Sequence, residues 1–323
     1  MKKIHISQQS IVFVLFVLMF ASFALLLPGF AQVDNLLTLL QNVAILGILG
    51  LGMSVVVIGR GIDISMIAAL AVPSGLLLQL MQNGVGLGSA CALAIGLSLL
   101  FGLVNGWLIA YAEVPSLFTT LASGLFLAGL GQAFFFQLEV VQWPANMDPI
   151  AWMGRGTFIG LPMPVVMFAV AAIGLSLFLK RMRAGTFIYA IGDNPFGARA
   201  TGLPTRPIIV LQYVMAALIG VFAGVVMAAS VNSMPTRIFN STMIYDVVLV
   251  VVLGGIGLSG GRGGVLNVII GTLLIGTMLN GMTILDMSYS VQNIVKGVVL
   301  LVAILVDSAF NPRNEETAQQ GDI

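Results

Sequence analysis

Hydrophobic positions in this chain come in long uninterrupted blocks, and polar positions are confined to the short stretches between them. The blocks can be marked at 11–27, 36–58, 64–81, 89–111, 117–138, 161–179, 208–230, 244–258, 265–284 and 291–306. A bilayer core takes about 20 residues of helix, so the pattern predicts ten membrane helices joined by short connections. Two blocks break the pattern. The eighth has its apolar core at 247–253 and runs into the glycine-rich segment 254–264, Gly-Gly-Ile-Gly-Leu-Ser-Gly-Gly-Arg-Gly-Gly, so it is too short for a straight crossing. The third follows 59–65, Gly-Arg-Gly-Ile-Asp-Ile-Ser, where Asp63 is placed to cap a helix N-terminus. Both places read either as tight turns between ordinary spans or as helices broken inside the membrane, which a bilayer tolerates only where protein or a water-filled cavity satisfies the freed backbone.

Stretches 96–106 and 271–281 have one length, open with glycine and close with Asn-Gly. They fall in the fourth and ninth blocks, five spans apart and so in opposite directions, the parity of an inverted repeat of five plus five helices with its pathway between the halves.

Composition agrees with the block pattern. The chain has 323 residues, 59% hydrophobic and 8% charged, against about a quarter charged in soluble domains. The expected fold is an all-α integral membrane protein: a single transmembrane domain over 1–323, a cytoplasmic coupling loop at 180–207 and a polar cytoplasmic tail at 308–323. The N-terminus, with Lys2, Lys3 and an apolar stretch longer than a signal-peptide core, reads as an uncleaved first helix.

Charge sets the expected orientation. With a cytoplasmic N-terminus, the inside connections hold Lys2, Lys3, Arg60, Lys180, Arg181, Arg183, Arg199, Arg206, Arg262 and Arg313, and the outside ones hold only Arg155 and Arg237. The positive-inside rule then puts both termini in the cytoplasm. A net charge of +1 offers no basic stripe for nucleic acid. One cysteine, Cys91, makes neither an internal disulfide nor a thiolate metal centre, and the one histidine, His5, lies in the N-terminal tail. No metal, cofactor or catalytic group is expected, and an intramembrane hydrolase has no histidine to serve as base. The glycine-rich segment is not followed by the Lys-Ser or Lys-Thr of a phosphate-binding loop, so energy must come from a gradient or a separate ATPase.

Nearly all the acids fall at predicted helix ends or in tails and none lies securely at mid-membrane, which weighs against a carrier driven by protons or sodium. Lys296 is the main ionisable residue within a span, and its long stem is expected to snorkel to the interface. Uncharged amides recur within spans, including Asn42, Gln79, Asn105, Gln212, Asn280, Gln292 and Asn293. They can bond the hydroxyls of a neutral polyol or hold helices together.

Several motifs resemble one family. Gly61-Ile-Asp-Ile-Ser65, Val114-Pro-Ser-Leu-Phe-Thr-Thr-Leu121, Gly185-x-x-Ile-Tyr-Ala-Ile-Gly-Asp-Asn-Pro195 with Ala198-Arg-Ala-Thr-Gly202, the run from Val252 to Gly263, and Val295-Lys-Gly-Val298 occur in the order found in permease subunits of bacterial ABC importers for simple sugars, the ribose, xylose and arabinose group. The resemblance runs from about Gly47 to Asp307. It implies an inner-membrane permease for a monosaccharide such as ribose, without catalysis of its own. The partners it implies are a second permease, identical or related, a cytoplasmic ATP-binding subunit and a periplasmic sugar-binding protein, with membrane lipid around the bundle. The same machine for a polyol or a sugar-derived signal, or a gradient-driven carrier, is the alternative. The chain departs from the family at Met66-Ile67-Ala68, where Val-Gly-Ser is usual, and at Ile244, where an acid often precedes the aspartate corresponding to Asp246.

By the same resemblance 193–202 is the coupling helix that docks on the ATPase. Asp193 or Asn194 would cap it, Pro195 suits its first turn, Gly197, Ala198 and Arg199 form its body, and Gly202 suits its end. Asn42, Gln79, Asn105, Asp246, Asn280 and Gln292 are the candidate pathway residues.

The expected orientation has a direct test. With Cys91 replaced, an impermeant thiol reagent added to intact cells should label Ala145→Cys and spare Ala184→Cys; the reverse pattern would invert the topology.

Overall fold

The computed structural model describes residues 8–136 and 139–310. Lys2, Lys3, His5, Leu138, Arg313 and the part of the polar tail from 311 to 323 lie outside the described residues. The helices are α1 (Gln8–Leu26), α2 (Val33–Ile58), α3 (Met66–Gln82), α4 (Leu87–Ala110), α5 (Ser116–Leu130), α6 (Asp148–Arg155), α7 (Met163–Arg181), α8 (Arg183–Asp193), α9 (Pro195–Ala200), α10 (Thr205–Val231), α11 (Met243–Leu253), α12 (Val265–Ile284) and α13 (Tyr289–Phe310). Eight described helices are long and apolar enough to span a bilayer, and α3 and α11 are shorter apolar helices. All ten apolar blocks of the sequence therefore fall on helices, with altered ends. The sixth starts at Met163 rather than 161 because Leu161–Pro162 (β3) pairs with Thr157–Phe158 (β2). The eighth ends at Leu253 rather than 258 because the glycines that follow leave the helix.

The connection between α5 and α7 holds structure that the block pattern does not show. A π-turn at Gly131–Phe135 extends α5. Beyond it, β1 (Val140–Gln142) pairs antiparallel with β4 (Ser233–Pro235), Val141 opposite Met234. This ties the α5–α7 connection to the end of α10.

At the centre stands α2, buried at every residue from 43 to 58, with α7, α10, α11 and α12 packed around it. A helix apolar all round needs either protein or lipid on every side. The lower half of α2 has protein, while α1 and α13 show lipid-type faces such as Leu25 and Leu305. Between α4 and α10 the contact is close enough to involve backbone. A Cβ at Gly102 or Gly106 would stand 2.6 Å from the Cα of Val214 or Val210, and Ser98, one turn earlier, donates to the carbonyl of Ala217 at 2.7 Å. This spacing of small residues every four positions is a membrane helix-packing device.

The two interruptions meet. Asp63 does mark the entry to α3: its carboxylate accepts the Ser65 N–H at 3.0 Å and also the Ser65 hydroxyl. The Ile62 and Ile64 N–H groups are taken by Ser116 and Thr120 of α5, at 3.2 and 3.1 Å. Gly261, at φ +71°, donates its N–H to the carbonyl of Ile58 at 2.8 Å, and Asn267 donates to the carbonyl of Gly254 at 2.7 Å. Gly192 of α8 lies so close that a Cβ there would strike both Ile58 O and Gly261 N. The segments are thus genuine breaks, satisfied by protein.

The α4–α10 contact predicts a contrast on one helix. Gly106→Ala should destabilise by about 1–3 kcal/mol through overpacking, whereas Gly96→Ala, with nothing within 4 Å of the added methyl, should be neutral or slightly stabilising. Thermal unfolding of the purified subunit in detergent, followed by helical circular dichroism, checks the order of the two.

Candidate functional site

The second helix runs between two faces of the bundle. One face carries the 59–65 turn, α8, α9 and the 254–264 segment; the other carries the start of α2, β1 and β4, the start of α11, the end of α12 and the start of α13. The second face holds a cavity of about 740 Å³ between α2, α11, α12 and α13. Four of the sequence-predicted pathway residues line it: Asn42, Asp246, Asn280 and Gln292.

The cavity's polar groups are largely engaged with one another. Asn280 on α12 and Asn35 on α2 exchange amide hydrogen bonds, each 3.0 Å, and Asn35 also donates to the Phe30 carbonyl at 2.8 Å. Gln292 donates to the carbonyl of Met287 at 2.9 Å. Lys296 does not snorkel. Its Nζ lies 2.9 Å from Asp246 Oδ1 and 3.2 Å from both Asp246 Oδ2 and Thr242 Oγ1. The two charged side chains are only 8% and 14% exposed. The reason is α11: because that helix is short, its first turn places Asp246 beside α13 at the depth of Lys296, and an opposite charge at contact outcompetes a reach to the interface. Thr242 extends the cluster, donating to Asn293 Oδ1 at 3.3 Å with Tyr289 Oη at 3.0 Å. Asp63 (2% exposed), at the entry to α3, and Asp246, in the first turn of α11, both stand at helix ends as the sequence pattern expects, and those two ends are covered by protein.

Two predicted pathway residues lie elsewhere. Asn105 is buried near the end of α4, on the opposite face, donating to Ser65 Oγ at 3.1 Å; its own Oδ1 is buried without a hydrogen-bond partner. Gln79 is half-buried in the last turn of α3, outside the cavity lining. Since α4 and α12 run in opposite directions, the matching Asn-Gly ends put Asn105 and Asn280 at opposite faces. Residues missed at the cavity include Asn35, Thr38, Tyr289 and Lys296. A signal for the first two existed: positions 35, 38 and 42 are polar at intervals of three and four, one face of a helix entering an apolar block.

On the other face, the polar connection after α7 is mostly helical. The amphipathic α8, which the block pattern leaves in a loop, buries Ile188 and Ile191. Asp193 is its last residue and does not cap α9. Asn194 does, accepting the Gly197 N–H at 2.8 Å, with Pro195 at the first position. The helix closes as Gly202, at φ +78°, turns the chain and Leu203 N donates to the Ala198 carbonyl at 3.1 Å. Ala198 is buried, Asp193 and Arg199 are exposed, and Phe196, not singled out by sequence, is 54% exposed. Arg60, Lys180, Arg181, Arg183, Arg199, Arg206 and Arg262 belong to this face, whereas Arg155 and Arg237 belong to the cavity face.

The chain matches the family described as branched-chain amino acid transport system / permease component over residues 35–304. It is 31% identical to the ribose import permease protein RbsC of Escherichia coli strain K12 over 283 residues, 87% of this chain and 88% of that one. It is 33% identical to the RbsC of Bacillus subtilis strain 168 over 285 residues, 88% of each chain. The galactofuranose transporter permease protein YtfT of Escherichia coli strain K12 is 31% identical over 271 residues, 84% of this chain and 78% of that one. No solved structure matches the chain significantly. Permeases of this family are non-catalytic inner-membrane subunits that work with a separate ATP-binding subunit and a periplasmic binding protein. The chain belongs to this family of transport-system permease components, among the permeases of sugar ABC importers.

Proposed function

We propose that this permease carries a monosaccharide, a pentose such as ribose, through the cavity between α2, α11, α12 and α13, with the cavity face periplasmic and both termini cytoplasmic. The observation that carries the reading is the convergence of Asn42, Asn280, Gln292 and Asp246 on one cavity from four helices, in a chain whose relatives include ribose import permeases. Amide and hydroxyl groups both donate and accept, which suits a solute made of hydroxyls. The seven-to-two distribution of the described cations outside Lys296 supports the orientation. A relative at the same identity is named for galactofuranose, so that sugar is the second candidate cargo.

The energy enters at the opposite face. The helix α9 offers an exposed Phe196 beside an exposed Arg199, an apolar anchor and a charge on a short, well-capped element. Its neighbour α8 touches the 254–264 segment through backbone, since a Cβ at Gly261 would stand 2.7 Å from Asp193 Cα. A displacement of α8 and α9 by the ATPase would therefore reach the segment that follows α11. A second permease, a copy of this chain or a related one, completes the pore, and lipid covers the exposed apolar faces.

Two outcomes are expected. In reconstituted complexes, Asn42→Ala and Asn280→Ala should reduce ribose uptake by about tenfold, near 1.4 kcal/mol, without loss of assembly with the ATPase, whereas Asn105→Ala should reduce assembly and uptake together. If Asn42→Ala and Asn280→Ala leave uptake of both ribose and galactofuranose unchanged, the cavity is not the path.

Phe196→Ala and Arg199→Glu, both at exposed positions, should insert normally yet suppress sugar-stimulated ATP hydrolysis. Wild-type stimulation and uptake in both variants would remove α9 from the coupling. A bulky residue at the buried Ala198 is a poorer test, since it disturbs the helix itself.

A further inference from the structure

Among the residues lining the cavity, Asp246 and Lys296 are the two that carry charge; the other polar groups are amides, hydroxyls and the Tyr289 phenol. The two form one ion pair, Nζ to Oδ1 at 2.9 Å, bridging α11 and α13. With so little of either side chain exposed, solvent and salt screen them weakly. Stability does not account for such a pair, because a buried ion pair is commonly no better than a well-packed apolar replacement, while losing one partner leaves an uncompensated charge.

We propose that the Asp246–Lys296 pair is the charge filter of the cavity: intact, it leaves the lining neutral and suited to uncharged solutes, and loss of either partner makes the lining attract solutes of the opposite charge. This deepens the reading of the cavity as the solute path and rests on it. Sugars are uncharged, whereas their acids and phosphate esters are anions that a lone Lys296 would hold and a lone Asp246 would repel. Asp34 and Asp286 belong to the same face but lie outside the lining, so they act as a constant background in any comparison of variants. Thr242 is bonded to Lys296 and, being neutral, leaves the balance unaltered.

A purely mechanical latch makes a different prediction. If the pair only ties α13 to α11, removing either partner has the same consequence. A filter requires consequences of opposite sign.

The test uses the full-length permease in membranes, with Cys91→Ala and with Thr38→Cys as a reporter, since Thr38 is exposed in the cavity wall. The rates of modification by an anionic and a cationic methanethiosulfonate of similar size are measured, and their ratio is compared among variants. Asp246→Asn should shift the ratio toward the anionic reagent and Lys296→Met toward the cationic one. Each shift should be at least about tenfold, the size expected from a unit charge about 10 Å away at an effective dielectric constant near 20. The double variant, and the exchanged pair Asp246→Lys with Lys296→Asp, should return to the reference ratio. Should one single variant fail to insert, the sign of the other's shift decides. Should both fail, the exchanged pair decides, a ratio displaced from the reference overturning the filter. Shifts of the same sign in both single variants, or no shift in either, also overturn it. The ratio reads the charge of the lining whether or not sugar passes, so this failure is distinct from failure of the uptake assay on Asn42→Ala and Asn280→Ala.

Discussion

With no water in the hydrocarbon core to receive freed backbone groups, a membrane protein that interrupts its helices must satisfy each interruption with another part of itself. Here the two main interruptions are partners. The carbonyl left at the end of α2 by Ile58 receives the Gly261 N–H, and the carbonyl left at the end of α11 by Gly254 receives the Asn267 side chain. Ser116 and Thr120 supply the acceptors for the turn leading into α3. The left-handed conformation of Gly261 and the missing side chain of Gly192 allow three backbone segments to occupy one small volume. Much of the rest of the architecture hangs on that junction.

The length of α11 is one consequence. Because the glycines end it at Leu253, the helix covers only part of the bilayer, with its first turn at the cavity and its end at the junction that meets α8. A full-length span would carry its first turn elsewhere, and Asp246 would not stand at the depth of Lys296. The same short helix therefore makes a buried ion pair possible on one face and brings the cavity into structural continuity with the face bearing α9. Its run of five buried residues within Val247 to Val252 gives that connection a packed, rigid form.

Polar residues within the apolar blocks divide into two kinds by what surrounds them. Asn105 serves the junction, sealed among α4, the 59–65 turn and α10, and its bond to Ser65 is a packing bond in the sense expected of membrane helices. Asn280 bonds Asn35 across the wall of an open cavity. The two asparagines carry the same local motif, Asn-Gly at the end of a glycine-led stretch. What separates them is that α4 is pressed against α10 through Gly102 and Gly106, whereas the end of α12 borders a gap.

What the sequence determined by itself is what depends on near neighbours along the chain. Apolar blocks of bilayer length make membrane helices, and glycine clusters end them. Asn194-Pro195 followed by Gly202 writes the start and stop of α9, and even the face formed by Asn35, Thr38 and Asn42 is a matter of helical period. The choice of Asn194 over Asp193 as cap needed only the actual end of α8. What the tertiary structure decided is the surroundings of each polar side chain. Lys296 on α13 meets Asp246 and Thr242 about fifty positions earlier, and β1 meets β4 across an even longer separation. A charge within an apolar block can reach for the interface or for a partner, and which one is cheaper is set by where another helix stops; no local pattern around Lys296 contains that distance.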